Sequence, residues 1–390
     1  MIRTDSVRGR VALGVAHCAG LVDMVALPVW VGALVQHYRF DPQQAGLLVT
    51  LFLAGAVIAS LMVAPLFHRL RSGQPLAVVG FAGAAGVFFA LARTTDFGTM
   101  GVLHALGGMG IGTALSVTHG TVARSANPHR LFAVCGIALG LFALAFLATM
   151  PPVVASAGGA ILFQVFAAVM AVGAVASLLA FPEPDALSPV PIAARQSGGR
   201  SSRALWAGVI GLCCMSVVQA MAFGFFERAG ADRAFGVEKV TAVLAVLGFV
   251  NLFPTAMAAL LERRCSARNV LMGGPVAQAL LVITIFTSTS FLSYAIAGSL
   301  FVAVMLFTHV FGFGMLARLD TTGRALAATP AMMMTGAAIG PVLGGTLVKV
   351  AGYSAIGIAA AVLGGVALLC FAQLPRVGTS EPALGSKSYV

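Results

Sequence analysis

The sequence predicts an all-α integral membrane protein, with twelve transmembrane helices set in two six-helix bundles around a central cavity. Three observations predict it. Hydrophobic residues make up 59% of the 390-residue chain and charged residues only 9%, too little polar surface to coat a soluble globule. The apolar residues fall in twelve runs, each able to cross the roughly 30 Å hydrocarbon core that about 20 helical residues span. The basic loops recur at a fixed offset, so that the second six runs repeat the first six.

The runs are 11–35, 43–67, 76–92, 99–122, 130–150, 159–181, 204–226, 240–261, 270–288, 291–316, 325–348 and 353–373. Strands of a membrane barrel would instead show as segments of roughly 10 residues with alternating polarity. The net charge of +11 follows the loops. With the N-terminus inside, the cytoplasmic segments hold 17 of the 23 lysines and arginines, and Arg39, Arg93, Arg228, Arg233, Lys239 and Lys349 make up the outer set. This positive-inside bias places both termini in the cytoplasm, so the basicity reports topology and no nucleic-acid partner is expected. The basic N-terminus is not followed by a small-residue cleavage site, and no signal peptide is expected. The six cysteines have no metal-ligand spacing, so neither disulfide, metal nor cofactor is expected. Arginine outnumbers lysine 20 to 3, a bias associated with GC-rich bacteria, and the expected location is a bacterial inner (cytoplasmic) membrane.

Residues 182–203, "PEPDALSPVPIAARQSGGRSSR", are rich in Pro, Ser, Gly and Arg and read as a cytoplasmic linker. It separates an N-terminal bundle, 1–181, from a C-terminal bundle with a short tail, 204–390. At an offset of 194 residues, Ala64, Leu66 and Arg69 match Ala258, Leu260 and Arg263, while Arg124 matches Arg318 and Arg130 matches Arg324. Two duplicated bundles related by an axis along the membrane normal place a cavity between them near the midplane.

This layout, with a basic loop after the second run, resembles the major facilitator superfamily. The family's loop signature survives here as Ala64, Leu66, His68 and Arg69, with His68 in place of the acid; the second copy keeps Glu262 before Arg263. The fourth-helix signature survives in part as His104, Gly108 and Gly110. The stretch "GAAIGPVLGG", 336–345, fits the Gly-x-x-x-Gly-Pro-x-x-Gly-Gly motif that drug/proton antiporters carry on the fifth helix, here placed on the eleventh. The resemblance implies a monomeric secondary transporter working by alternating access, with Arg69, Glu262 and Arg263 as gating residues.

The motif also has its own physics. Gly336, Gly340 and Gly344 fall at i, i+4 and i+8 on one helix face, so a neighbouring helix can come close, and Pro341 removes a backbone donor. Tight packing alone would account for it; a pivot for rocking is the sharper reading, and all four are taken as conformational candidates.

Among the twelve acids, the run boundaries leave Asp23 as the one charged residue deep in the membrane, between the small residues Ala19, Gly20 and Ala26. An intramembrane acid normally faces a cavity and carries a coupling or binding role. Asp23 is therefore the proton-coupling candidate, with a structural hydrogen bond to a neighbouring helix as the other reading. Glu227 and Arg228, at the end of the seventh run, read as interface anchors, and Trp30 and Trp206 as an aromatic belt. His119, Gln219, Asn251 and His309 are the remaining polar groups within the runs and the candidate substrate contacts; a histidine alone in such a run is more often a packed or interfacial residue serving as interhelical glue.

The expected function is proton-coupled efflux of a small organic compound, with protons and the lipid bilayer as the other partners. Uptake by proton symport is the alternative. An integral membrane enzyme is a further class, against which stands the lack of HExxH, GxSxG, a phosphate loop or paired intramembrane acids.

Overall fold

A computed structural model describes residues 2–63, 66, 72–183, 203–261, 264–319 and 324–375. Arg69, Glu262 and Arg263, the expected gating residues of the loops, lie outside the described residues, as does most of the expected linker.

The described residues form fourteen helices. The first half comprises α1 (Val7–Gly20), α2 (Val22–Gln36), α3 (Pro42–Val63), α4 (Gln74–Leu91), α5 (Phe97–Ala123), α6 (Pro128–Ala157) and α7 (Ala160–Ala180). The second comprises α8 (Arg203–Asp232), α9 (Val237–Val250), α10 (Pro254–Leu261), α11 (Ala267–Thr287), α12 (Phe291–Leu319), α13 (Arg324–Ala351) and α14 (Ser354–Ala372). They supply twelve membrane-crossing segments, because α1 with α2, and α9 with α10, each make one span. The runs 11–35 and 240–261 predict both of those spans to be continuous. Instead Leu21, at φ −120° and ψ 15°, interrupts the first, and residues 251–253 interrupt the second just before Pro254, a residue that cannot continue a helix from within.

Local chemistry sets several helix ends. Asp41 and Gln44 make a reciprocal capping box at the start of α3: the Gln44 amide donates to Asp41 Oδ1 at 2.9 Å, and the Asp41 amide donates to Gln44 Oε1 at 3.1 Å. Asp96 caps α5 by accepting from the Thr99 amide at 2.7 Å. Gly158 ends α6 at φ +87°, and Gly352 follows α13 at φ +77°, a conformation that glycine adopts without strain. These two glycines are themselves 194 residues apart. So are the starts of α5 and α12, at Phe97 and Phe291, and of α7 and α14, at Ala160 and Ser354.

The bundles meet along three lines: α2 on α8, α3 on α13, and α6 on α9. Under the repeat, α3 corresponds to α9 with α10, and α6 to α13, so the last two seams exchange with one another. Each bundle is apolar both in its interior and on its outer surface. Large apolar residues such as Leu179, Leu260 and Val350 stay exposed for lipid, whereas the aromatic rings gather inside. Trp30 is one of these interior rings and not part of a belt: it is fully buried, edge-on to Phe52 and Phe166 and stacked on His104 at 5.4 Å between centroids. Glycine at 108 and 112 admits the α3 backbone at Phe52 and Ala56, which draws that ring set together. Trp206 remains exposed, as a belt residue would.

Candidate functional site

The break at Leu21 governs the surroundings of Asp23. Because α2 restarts at Val22, Asp23 lies in its first turn, where backbone amides have no helical acceptor and the helix dipole favours negative charge. The Asp23 and Met24 amides face its carboxyl. Its Oδ1 is buried with no hydrogen-bond partner, and the residue as a whole is only 4% exposed. One turn further, Pro28 has no N–H to give the Met24 carbonyl, so a second acceptor is released beside the acid. A broken helix, an unpartnered carboxyl oxygen and a freed carbonyl thus coincide inside the first span.

The other polar groups fall into separate places. His119 of α5 meets His17 of α1, Nε2 to Nδ1, at 3.0 Å, and packs edge-on to Phe132. An imidazole pair at this distance has one ring donating and the other accepting, so the pair works as one unit. Gln219 and His309 sit inside the second bundle. Gln219 Oε1 accepts from Gln278 Nε2 at 3.4 Å, Gln278 also donates to the Met215 carbonyl, and His309 lies 3.3 Å from Ser216 Oγ, one turn before Gln219 on α8. Asn251 stands at the break between α9 and α10 with Oδ1 buried and unpartnered. The structure therefore joins Gln219 to the neighbourhood of His309, and leaves Asp23, His119 and Asn251 in places of their own.

The glycine motif lies between two partners. One face of α13 packs on α8 of its own bundle, where a Cβ at Gly336 would come within 2.8 Å of the Cys213 carbonyl, at Gly340 within 2.6 Å of Ala220 Cβ, and at Gly344 within 2.9 Å of Met221 Cγ. The adjacent face meets α3 of the other bundle: the Pro341 carbonyl occupies the space a side chain at Gly46 would need, and the Pro42 carbonyl does the same at Gly345. Thr50 of α3 reaches across to α13, donating to the Ala338 carbonyl at 2.7 Å and accepting from the Val342 amide at 3.2 Å. Those two groups are the i−4 and i members of one helical turn. Beyond them Lys349 donates to Asp41 at 2.9 Å and to Gln43 at 3.1 Å. These contacts close the bundles at the end opposite the chain termini, called here the distal end.

Glu227 corrects the reading of Asp23 as the only acid within a span. It lies on α8 where that helix crosses α2, and its Oε2 is buried, unpartnered and seated on Gly32. A charged pair closing an apolar run looks like an interface anchor, and nothing in the run itself reveals that Gly32 of another helix leaves a seat for the carboxyl. Gln278 is visible in the sequence as a lone amide within the apolar stretch "PVAQALL". Among the described residues no cluster of His, Cys, Asp or Glu is arranged to hold a metal ion.

The sequence matches the model of the Major Facilitator Superfamily over residues 12–319. The chain belongs to the major facilitator superfamily. Solved structures of similar fold include the nucleoside transporter NupG, at 14% identity and a TM-score of 0.69 over 94% of this chain and 96% of that one. A D-xylose-proton symporter matches at 13% identity and 0.71, over 95% and 98%. A bacterial homologue of the human lysosomal transporter Spinster, in an inward-facing and occupied conformation, matches at 14% and 0.67, over 93% and 91%. No curated protein sequence matches the chain. As a member of this superfamily it is a multi-pass membrane transporter of small molecules that works by alternating access, not an enzyme.

Proposed function

We propose that this superfamily member couples the movement of a small organic compound to protons, with Asp23 as the residue that binds and releases them. The observation that carries the proposal is the unpartnered Asp23 Oδ1 beside the break in the first span. A buried carboxylate with one oxygen left unpartnered is costly, whereas a carboxyl that exchanges a proton in each cycle is not held in the charged form throughout. The efflux direction is supported by the antiporter-type glycine motif, whose residues lie at the seam that must part in a rocking cycle. The bundles 1–181 and 204–390 would move as two bodies about that seam, joined by 182–203, with both termini in the cytoplasm of a bacterium. A second reading, uptake by proton symport, uses the same residue; the D-xylose-proton symporter shares the fold at 13% identity, which lends architecture and not substrate.

Proton movement in proteoliposomes under an imposed pH gradient tests this, with cationic, neutral and anionic compounds added to wild type and Asp23→Asn. Substrate-evoked proton flux should vanish in the variant, and its direction relative to the substrate separates exchange from symport. Equal flux in both proteins would make Asp23 structural and move the search to the His17–His119 pair.

A further inference from the structure

Glu227 is the acid that the proposed coupling at Asp23 does not use. It belongs to the other bundle and meets α2 at Gly32, nine residues after Asp23 and, at about 100° per residue, on the opposite side of that helix. Its Oε2 is fully buried without a partner, while the residue as a whole keeps part of its surface exposed. Gly32 is what makes the seat: a side chain there would coincide with the carboxyl. One helical turn beyond, at Gln36 on α2 and Ala231 on α8, a groove of about 370 Å³ begins, lined also by Val35, Arg39, Arg228 and Asp232. The contact is thus a lid one turn deep between the bundle interface and a polar groove at the distal mouth.

The charged and titratable groups around it are few. On its own helix Arg228 is engaged by Asp232 at 2.5 Å, and Asp232 also accepts from the Tyr353 hydroxyl at 2.6 Å. From α12, Tyr294 approaches, but its hydroxyl donates to the Phe226 carbonyl at 2.9 Å. The α2 side offers Gly32, which has no side chain to pair with the acid. Outside the spans at this end, burial and the charge of Arg39 hold His37 below the usual histidine range.

We propose that Glu227 is a second proton-binding site that locks the distal end: protonated, its carboxyl seats on Gly32 and the bundles close; ionised, it withdraws into the groove beside Arg228 and Arg39 and the bundles part. The reason is the asymmetry of burial. A neutral carboxyl loses little on the apolar glycine seat, whereas a carboxylate there forgoes both water and a partner. Closing the distal end therefore takes up one proton, and opening returns it to water at the distal mouth. The inference rests on the alternating-access reading of the fold and is independent of Asp23 as the coupling residue.

The test measures the distal gap directly and needs no substrate. Spin labels at Thr95→Cys and Thr289→Cys, exposed positions in distal loops of the two bundles, report the distance in a cysteine-free protein in lipid nanodiscs. For one linked proton, the closed-to-open ratio of the otherwise wild-type protein, followed from about pH 5 to about pH 9, should fall with rising pH by at most about tenfold per unit. Glu227→Gln should stay closed throughout with no slope, and Gly32→Ala, which fills the seat, should stay open throughout. Asp23→Asn should keep the wild-type slope, so failure of the coupling proposal leaves this result unchanged. A wild-type distance independent of pH, or a Glu227→Gln profile that retains the wild-type slope, would overturn the lock.

Discussion

The α3–α13 seam and the α6–α9 seam occupy equivalent places in the repeat, yet different chemistry closes them. In the first, backbone meets backbone: Gly46 and Gly345 are each opposed by a carbonyl, and Thr50, Asp41 and Gln43 add polar bonds to the partner helix. In the second the fit is looser: a Cβ at Gly140 would meet only a leucine side-chain end, Leu252 Cδ2 at 2.5 Å, and one at Gly248 would come no nearer than 3.0 Å to the Leu144 backbone, against 2.1 Å to a carbonyl at both Gly46 and Gly345. A flexible leucine tolerates sliding and re-packing, whereas a carbonyl lodged against a glycine fits in one register. The duplicated fold has therefore made one seam a latch and left the other a greased contact. This matches the placement of the glycine-proline motif, which survives on α13 and has no counterpart in the α6 stretch "FALAFLATMP".

Matched substitutions test the contrast, with the distance between labels in the distal loops as readout. Gly46→Ala drives a methyl into the Pro341 carbonyl, and overpacking of that kind costs about 1–3 kcal/mol. The closed fraction should drop roughly 5- to 150-fold in ratio. Gly140→Ala meets only the end of Leu252, which can move to another rotamer for about 0.5–1.5 kcal/mol at most, and its effect should lie clearly below that of Gly46→Ala. Equal effects would dissolve the distinction between latch and greased contact.

Thr50→Val sits between these extremes. It keeps the shape of the side chain and removes both hydrogen bonds to α13, but the Val342 amide and Ala338 carbonyl that it releases are one turn apart and can serve each other. A net loss of about 1 kcal/mol follows, near fivefold in the closed-to-open ratio. No change would mean that the hydroxyl is a passenger on a seam held by its other contacts.

How much of this was legible in the sequence depends on the kind of contact. The spans, their number and the repeat were readable because each rests on local periodicity and loop charge, and Asp23 stood out because an acid contrasts with its own apolar run. Glu227 did not, since its burial depends on Gly32, 195 positions earlier in the chain. Trp30 was misplaced for a related reason: counted from the run's end it fits an interface, yet glycines of α5 draw aromatic neighbours around it. The pairing of His17 with His119 likewise joins α1 to α5 across 102 positions, which no helical-wheel argument about one span could find. The break at Leu21 has no proline or glycine at the interrupted residue to announce it; Gly20 precedes it and Pro28 follows a full two turns later.

The smallest expected effect is the most useful control. Lys349 and Asp41 join the two bundles at 2.9 Å with side chains 45% and 35% exposed, a setting in which solvent screening leaves such a pair worth roughly 0.2 kcal/mol or little more. Burial pushes the Asp41 carboxyl up, but the hydrogen bond and charge of Lys349 and the Gln44 amide outweigh it and hold the acid below its ordinary value. A depressed carboxyl contributes fully above the ordinary value of about 3.9 and loses its contribution only as pH falls through the lowered one. Between pH 5 and 9 this pair is therefore constant. Lys349→Ala should shift the closed-to-open ratio by well under twofold, by the same amount at every pH in that window, and the shift should disappear in about 1 M salt, where the Debye length is about 3 Å. A changed slope instead of a uniform offset would assign the pH response of the latch to the Asp41–Lys349 pair and take it away from the Glu227 seat on Gly32.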